Sequence, residues 1–160
     1  MPSKAAHPPA EGDPAPEIEV ADDAGNPFRL SSLRGKNVVL YFYPKANTSG
    51  CTKEACAFRD NSKKFTKADT VIVGVSPDKS AAQASFKTKY DLPFTLLADA
   101  DHAVAEAWGV WKEKSMYGRK YMGVERTTFL IDKKGKVLRI FPKVKIEGHA
   151  DEVLKAVAAL

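Results

Sequence analysis

The sequence predicts an α/β domain whose central sheet is mixed and flanked by helices. Three observations carry that reading: apolar, strand-like runs at 38–43 and 71–76, a charged stretch of helical length between them, and two later apolar runs joined by a short glycine turn. Strand, helix, strand is the order of a parallel pair with its crossover, whereas runs separated by "KKG" pair antiparallel. At 160 residues the chain has the length of one ordinary domain and can bury a core without disulfide staples.

The elements follow in order. The start, "MPSKAAHPPAEGDPAPEIEV", is rich in Pro and Ala and reads as a flexible N-terminal arm over 1–12, followed by a single domain over 13–160. Residues 28–30 read as a short strand, and "LSSLRGKN" as a turn into the central one. "VVLYFY", ended by Pro44, is a buried strand, and "VIVGVS" is a second. Between them, 53–68 carries Ala55, Phe58, Phe65 and Ala68 among charges, which suits a helix packed on a sheet. After "SPDKS", where Asp78 or Ser80 is placed to cap, 81–90 reads as a helix and 94–98 as a short strand. Asp101 precedes a short helix over 103–108, stopped by Gly109, and 110–123 reads as a loop or irregular arm. "TTFLID" and "KVLRIF" flank a hairpin turn with Gly135 at positive φ, and 150–160 forms a terminal helix.

Composition narrows the function. The chain is 44% hydrophobic and 28% charged, near the globular average, with no apolar run of membrane-spanning length. The net charge is +5, but 25 basic residues are interleaved with 20 acidic ones, so segments such as "KKFTK" and "KEKSMYGRK" read as solvated faces. Neither a nucleic acid nor a membrane is expected as partner. The start lacks the apolar core of a secretory signal, and the expected location is the cytoplasm, where thiols are kept reduced. No glycine-rich phosphate loop supports nucleotide chemistry. Two cysteines and the scattered His7, His102 and His149 do not make a zinc site. His102 reads as a helix-start residue, His149 as a turn residue, and Trp108 and Trp111 as packing beside Val104 and Val110.

The chemistry concentrates in "PKANTSGCTKEAC", which holds both cysteines of the chain. On a helix, Cys51 and Cys56 stand about 8 to 9 Å apart between Cα atoms, whereas a disulfide needs about 4.4 to 6.8 Å. Either the two never pair, or pairing requires the helix to come apart. Cys51 falls near the first turn of a helix, after a core strand and a short loop. Free N–H groups and the positive end of the helix dipole favour a thiolate there. Thr48, three residues earlier, is placed to present its hydroxyl beside the sulfur, and Pro44 to stiffen and shield the loop.

"YFYPKANTSGCTKEACAFRD" contains the P-x-x-x-T-x-x-C signature of peroxiredoxins, and the chain from about Asp13 onward resembles the bacterioferritin comigratory protein, or peroxiredoxin Q, branch. The resemblance implies a thioredoxin-like fold and a thiol-dependent peroxidase acting on hydrogen peroxide and organic hydroperoxides, with no metal or organic cofactor. Carried onto matching residues, Cys51 is the peroxidatic nucleophile, and Arg126, in "ERTTFLID", is a second active-site residue. Attack on a peroxide moves negative charge from sulfur to the departing oxygen, so a cation at Arg126, the Thr48 hydroxyl and the N–H groups of Gly50 and Cys51 suit the transition state. Glu54 matches a common family glutamate and either complements the helix dipole or orients Arg126 and the loop. Lys45 reads as a solvated lysine and Tyr43 as a core aromatic. Ser49 stands where the family frequently has proline, a departure that bears on loop rigidity.

The same resemblance makes Cys56 the resolving cysteine, forming an intramolecular disulfide with Cys51 that thioredoxin or a similar dithiol reduces. It also implies a monomer, the usual state of the branch. Two other redox classes use comparable residues. A disulfide oxidoreductase carries C-x-x-C at the helix start, which this spacing is not. A non-enzymatic peroxide-sensing switch uses the same disulfide and differs from a peroxidase only in turnover.

Overall fold

The computed structural model describes residues 7–160. The run around "VVLYF" becomes β3 (Asn37–Phe42), buried along its whole length because it lies inside a seven-stranded sheet. The strand order is β2 (Pro27–Arg29), β1 (Glu19–Asp22), β5 (Thr95–Ala98), β4 (Thr70–Ser76), β3, β8 (Thr127–Ile131), β9 (Val137–Phe141). β3 runs parallel to β4, with Val39 opposite Ile72, and antiparallel to β8, with Leu40 opposite Phe129. β4 and β5 are parallel and β1 is antiparallel to β5, so the sheet is mixed as expected.

Strand alternation sorts β3 onto two cores. Val38, Leu40 and Phe42 face Trp108 and Val104, the latter on α4 (Ala103–Ala107). Val39 and Tyr41, with Tyr43 just beyond the strand, face the larger helical layer. That layer contributes Phe58 from α1 (Ser49–Asp60), Phe65 from α2 (Ser62–Lys67), Phe86 from α3 (Ser80–Tyr90) and Val153 from α5 (His149–Ala158). Covered on both faces, the sheet positions the N-terminus of α1 at the carboxyl end of β3, where the thiol loop begins.

Several elements differ from the sequence expectation. The single helix expected over 53–68 is broken at Asn61, whose Nδ2 donates to the Ala57 carbonyl at 2.8 Å and so competes for a main-chain acceptor. Neither Asp78 nor Ser80 caps α3. Asp78 Oδ2 accepts from Ser76 Oγ at 2.6 Å and from the Ala46 N–H at 2.8 Å, while Ser80 Oγ donates to the Asp22 carbonyl. The loop expected over 110–123 is instead an antiparallel hairpin, β6 (Trp111–Met116) with β7 (Arg119–Val124). Its turn residues Tyr117 and Gly118 have φ of 53° and 78°, and both its faces are wet beyond the base, which erases the alternation that betrays a strand. The short strand expected over 28–30 is β2, but its partner β1 lay beyond the sequence reading; Asp22 Oδ1 holds the β1–β2 turn by accepting from the N–H groups of Ala24 and Asn26.

Of the arm expected over 1–12, residues 1–6 lie outside the described residues. The described part is tied to edge strand β9: the Gly12 N–H donates to Val137 at 2.7 Å, and the Ile140 N–H donates to Glu11 Oε2 at 3.0 Å. An edge strand offers unpaired main-chain groups, and this segment satisfies them. His149 is not a turn residue but the first residue of α5, and it is buried. Among the described residues no helix is long and apolar enough to cross a membrane.

Candidate active site

The loop from Tyr43 to α1 is fixed by its ends and by two borrowed side chains. The Tyr43 N–H donates to Val75 at 2.9 Å and continues the β3–β4 ladder by one residue. The Ala46 N–H is held by Asp78, and the Asn47 side chain accepts from the Tyr90 hydroxyl at 3.2 Å. Ser49 is the first residue of α1 and follows a loop anchored from outside. The main-chain ladder of α1 begins where the Thr52 N–H donates to Thr48 at 2.8 Å. The N–H groups of Gly50 and Cys51 have no acceptor among the described residues, so the positive end of the helix is open at the sulfur.

Cys51 is almost fully buried, 1% exposed, and its sulfur lies 3.3 Å from Arg126 Nη2. Arg126 Nη1 donates at 2.6 Å to Glu54 Oε1. Glu54 comes three residues after Cys51 on α1, so both side chains share one helical face and one guanidinium reaches both. Gly50 makes room for it. A Cβ there would sit 3.3 Å from Ile146 Cδ1, tighter than side chains ordinarily pack, and 3.4 Å from Arg126 Nη2, at the edge of ordinary contact. The Arg126 backbone is fixed in turn by its carbonyl, which accepts from the Val144 N–H at 2.9 Å.

Electrostatics at this cluster pull in opposite directions. Burial pushes the Glu54 carboxyl up to about 7, and attraction to Arg126 offsets only part of that. Burial also works against the charge on Arg126, but Glu54 and Cys51 outweigh it, and the guanidinium is held more firmly protonated than usual. The arrangement is a permanent cation clamped between a thiol and a buried carboxyl, with two free N–H donors beside the sulfur.

The sequence-predicted residues separate as follows. Cys51, Arg126, Glu54 and Gly50 come together. Thr48 is the N-cap residue of α1, but its hydroxyl donates to the Lys45 carbonyl at 2.9 Å, and it makes no hydrogen bond to the sulfur among the described residues. Pro44 is half-buried, Lys45 is exposed, and Tyr43 is core, with its hydroxyl donating to Gln83 Oε1 at 2.6 Å. Cys56 is half-buried and both thiols are free, on one continuous helix. Five residues of helix turn Cys56 about 140° away from Cys51.

Two neighbours escaped the sequence reading. Tyr41 is buried beneath the site, and its hydroxyl and Glu54 Oε2 both lack a hydrogen-bond partner among the described residues. Burial, then the nearby Tyr43, Glu54 and Cys51, hold that phenol protonated well above its ordinary value. Its alternation with Val39 and Tyr43 was the available signal. Lys114, on β6, is half-buried, and burial together with Arg126 lowers its pKa while Cys51 opposes the shift. No sequence signal placed it there, because the hairpin itself was not legible.

Residues 11–140 match the AhpC/TSA family. The chain is 50% identical over 144 residues to peroxiredoxin Bcp of Bacillus subtilis, covering 90% of this chain and 92% of that protein. It superposes with a TM-score of 0.85 on the Xanthomonas campestris bacterioferritin comigratory protein, described for its alkyl peroxide reduction activity, at 39% identity over 89% of this chain and 90% of that one. For Xylella fastidiosa PrxQ the TM-score is 0.90, at 32% identity over 96% and 98% of the two chains. A mixed sheet flanked by helices that superposes this well defines a thioredoxin-like protein of the peroxiredoxin class. The chain belongs to the AhpC/TSA family, within its peroxiredoxin Bcp and PrxQ group.

Proposed function

We propose that the chain is a thiol-dependent peroxidase that reduces hydrogen peroxide and organic hydroperoxides through Cys51. The observation that carries this reading is the Arg126 guanidinium, 3.3 Å from the Cys51 sulfur and anchored at 2.6 Å on Glu54. The thiolate attacks the terminal peroxide oxygen; an S–O bond forms, the O–O bond breaks, and the departing alkoxide or hydroxide takes a proton. Cys51 is left as a sulfenic acid. Arg126 and the N–H groups of Gly50 and Cys51 face the charge that develops on the oxygens, and they need no reorganisation to do so. Thr48 joins them by turning its hydroxyl from the Lys45 carbonyl toward the bound peroxide, and Pro44 shields the loop. Similarity to the Xanthomonas campestris protein supports organic hydroperoxides among the substrates.

Cys56 then attacks the sulfenic sulfur, forming the Cys51–Cys56 disulfide and releasing water. On continuous α1 the Cα atoms are about 8 to 9 Å apart, so the first turns must unwind before the bond can form. Unwinding withdraws Cys51 from Arg126, and the site is rebuilt only after thioredoxin or a similar dithiol reduces the disulfide. The protein acts as a cytoplasmic monomer in this scheme. Cys51→Ser should abolish peroxide turnover with the fold intact, and steady-state activity in that variant would overturn the assignment. Cys56→Ser should keep the single-turnover oxidation of Cys51 and lose thioredoxin-driven cycling; retained cycling would transfer the resolving role to an external thiol.

A further inference from the structure

Among the described residues, four of the five exposed large hydrophobic side chains lie within seven residues, on the β6–β7 hairpin. Met116 is 56% exposed, Tyr117 98%, Tyr121 43% and Met122 50%. Trp111 and Val124, at its base, pack on the core, and the rest of both strands projects into solvent. An isolated two-stranded hairpin gains little stability from its own pairing. A cluster of exposed tyrosine and methionine there has no folding role, and such clusters mark interaction surfaces.

Charge selects the partner. The hairpin carries Lys112, Lys114, Arg119 and Lys120 against Glu113, a net charge of +3, and none of the five forms an ion pair among the described residues. A second copy docking through this patch would bring one +3 surface against another across a twofold axis, which is repulsive. An acidic partner is attracted instead.

Position selects the reaction. Lys114 pairs directly with Tyr121, and the register puts Lys112, Met116 and Arg119 on the same face, while Glu113, Lys120 and Met122 lie on the opposite one. The Lys114 stem crosses Gly123, where an added Cβ would meet its Cδ at 3.4 Å, and its ammonium lies within the electrostatic reach of Arg126 and Cys51. At the base, the Glu125 N–H donates to Val110 at 2.7 Å, and the next residue is Arg126. This face therefore borders the mouth of the thiol site. Peroxides need no such surface, whereas reduction of the disulfide brings a protein to the unwound start of α1, which leaves the fold beside this mouth.

We propose that the β6–β7 hairpin is the docking surface for an acidic dithiol protein that reduces the Cys51–Cys56 disulfide, an inference that rests on the peroxidase reading above. One partner thiolate attacks a sulfur of the disulfide, forming an intermolecular disulfide and releasing the other cysteine as a thiolate. The partner's second thiol then displaces the mixed disulfide. Two electrons and two protons pass to this chain, and the partner leaves oxidised.

The test compares reductants. Two variants alter only wet side chains: Met116→Ser with Tyr117→Asn, asparagine tolerating the positive φ at the turn, and Lys112→Glu with Arg119→Glu, both on the Lys114 face. The probes are an acidic bacterial thioredoxin with its reductase, and dithiothreitol. In both variants kcat/KM for thioredoxin should fall about tenfold or more, with the charge-variant loss shrinking at about 0.5 M salt. Stopped-flow oxidation by hydrogen peroxide and dithiothreitol-driven turnover should stay within about twofold of the parent. Unchanged thioredoxin kinetics in a protein that forms the disulfide normally would overturn the docking inference alone. So would sedimentation showing a parent dimer that both variants dissolve with no change in thioredoxin kinetics. Failure of the parent to form the disulfide under peroxide would overturn the peroxidase reading and the docking inference with it.

Discussion

Replacing Glu54 with glutamine should change how the stability of the protein depends on pH. The carboxyl is buried at 2% exposure and raised from 4.5 to about 7. Across that interval it is ionised in the unfolded chain but still protonated in the folded one, so the folded state binds more protons. The sign follows directly: the stability associated with this group is fully present below about pH 4.5 and is lost as pH rises through about 7. Each pH unit inside the interval removes about 1.4 kcal/mol, and from about pH 5 to about pH 8 the loss comes to about 2 to 3 kcal/mol. Glu54→Gln keeps an oxygen for Arg126 Nη1 and carries no proton equilibrium, so it lacks this loss. The assay is urea unfolding of parent and variant, both with free thiols, at the two pH values. Contributions from titrating groups remote from this cluster are common to both proteins and cancel in the comparison. Parallel pH dependences, within about 0.5 kcal/mol, would mean that Arg126 keeps Glu54 ionised throughout and would refute the reasoning.

Two further outcomes follow from the same cluster and its surroundings. Arg126→Gln should slow Cys51 oxidation by hydrogen peroxide about 10²- to 10³-fold, the usual consequence of losing a preorganised donor; an unchanged stopped-flow rate would reassign Arg126 to structure. His149, whose Nε2 lies 2.7 Å from Thr128 Oγ1, is held below its ordinary value of 6.5, chiefly by burial. Its sign is opposite to that of Glu54: the unfolded chain binds the extra proton, so stability is lost as pH falls below about 6.5. His149→Gln should remove that acid-side loss, at a cost of about 1 kcal/mol at pH 8 for the weakened bond to Thr128. Thermal unfolding of parent and variant from about pH 7 to about pH 5 checks it, and an identical acid-side decline in both would transfer the effect to other groups.

The central strands were legible because each buried strand is a continuous apolar run, and the thiol loop because its residues are spaced within a dozen positions of one another. Asn61 broke a helix that the apolar spacing of Phe58 and Phe65 continues straight through, since a side chain competing for the Ala57 carbonyl leaves no trace in hydrophobic period. The hairpin at 111–124 was not legible for the opposite reason: strands wet on both faces have no alternation to read. Asp78 was read as a helix cap and instead anchors the loop ahead of Cys51 through the Ala46 N–H.

The sequence by itself determined the α/β class, the helix start at Cys51 and the separation that keeps Cys51 and Cys56 apart while α1 is whole. These are local properties, set by residues within a few turns of one another. Arg126 was named from the resemblance of "ERTTFLID", but only tertiary structure brings that cation to the sulfur. Arg126 stands 75 residues from Cys51 and 72 from Glu54, and it reaches both because β8, which begins one residue after it, pairs with β3. Tertiary structure also decided that Glu54 is sealed from water, so that one carboxyl among twenty acidic residues titrates near neutrality. Spacing along a chain does not encode burial or long-range approach; those arise when the layers close.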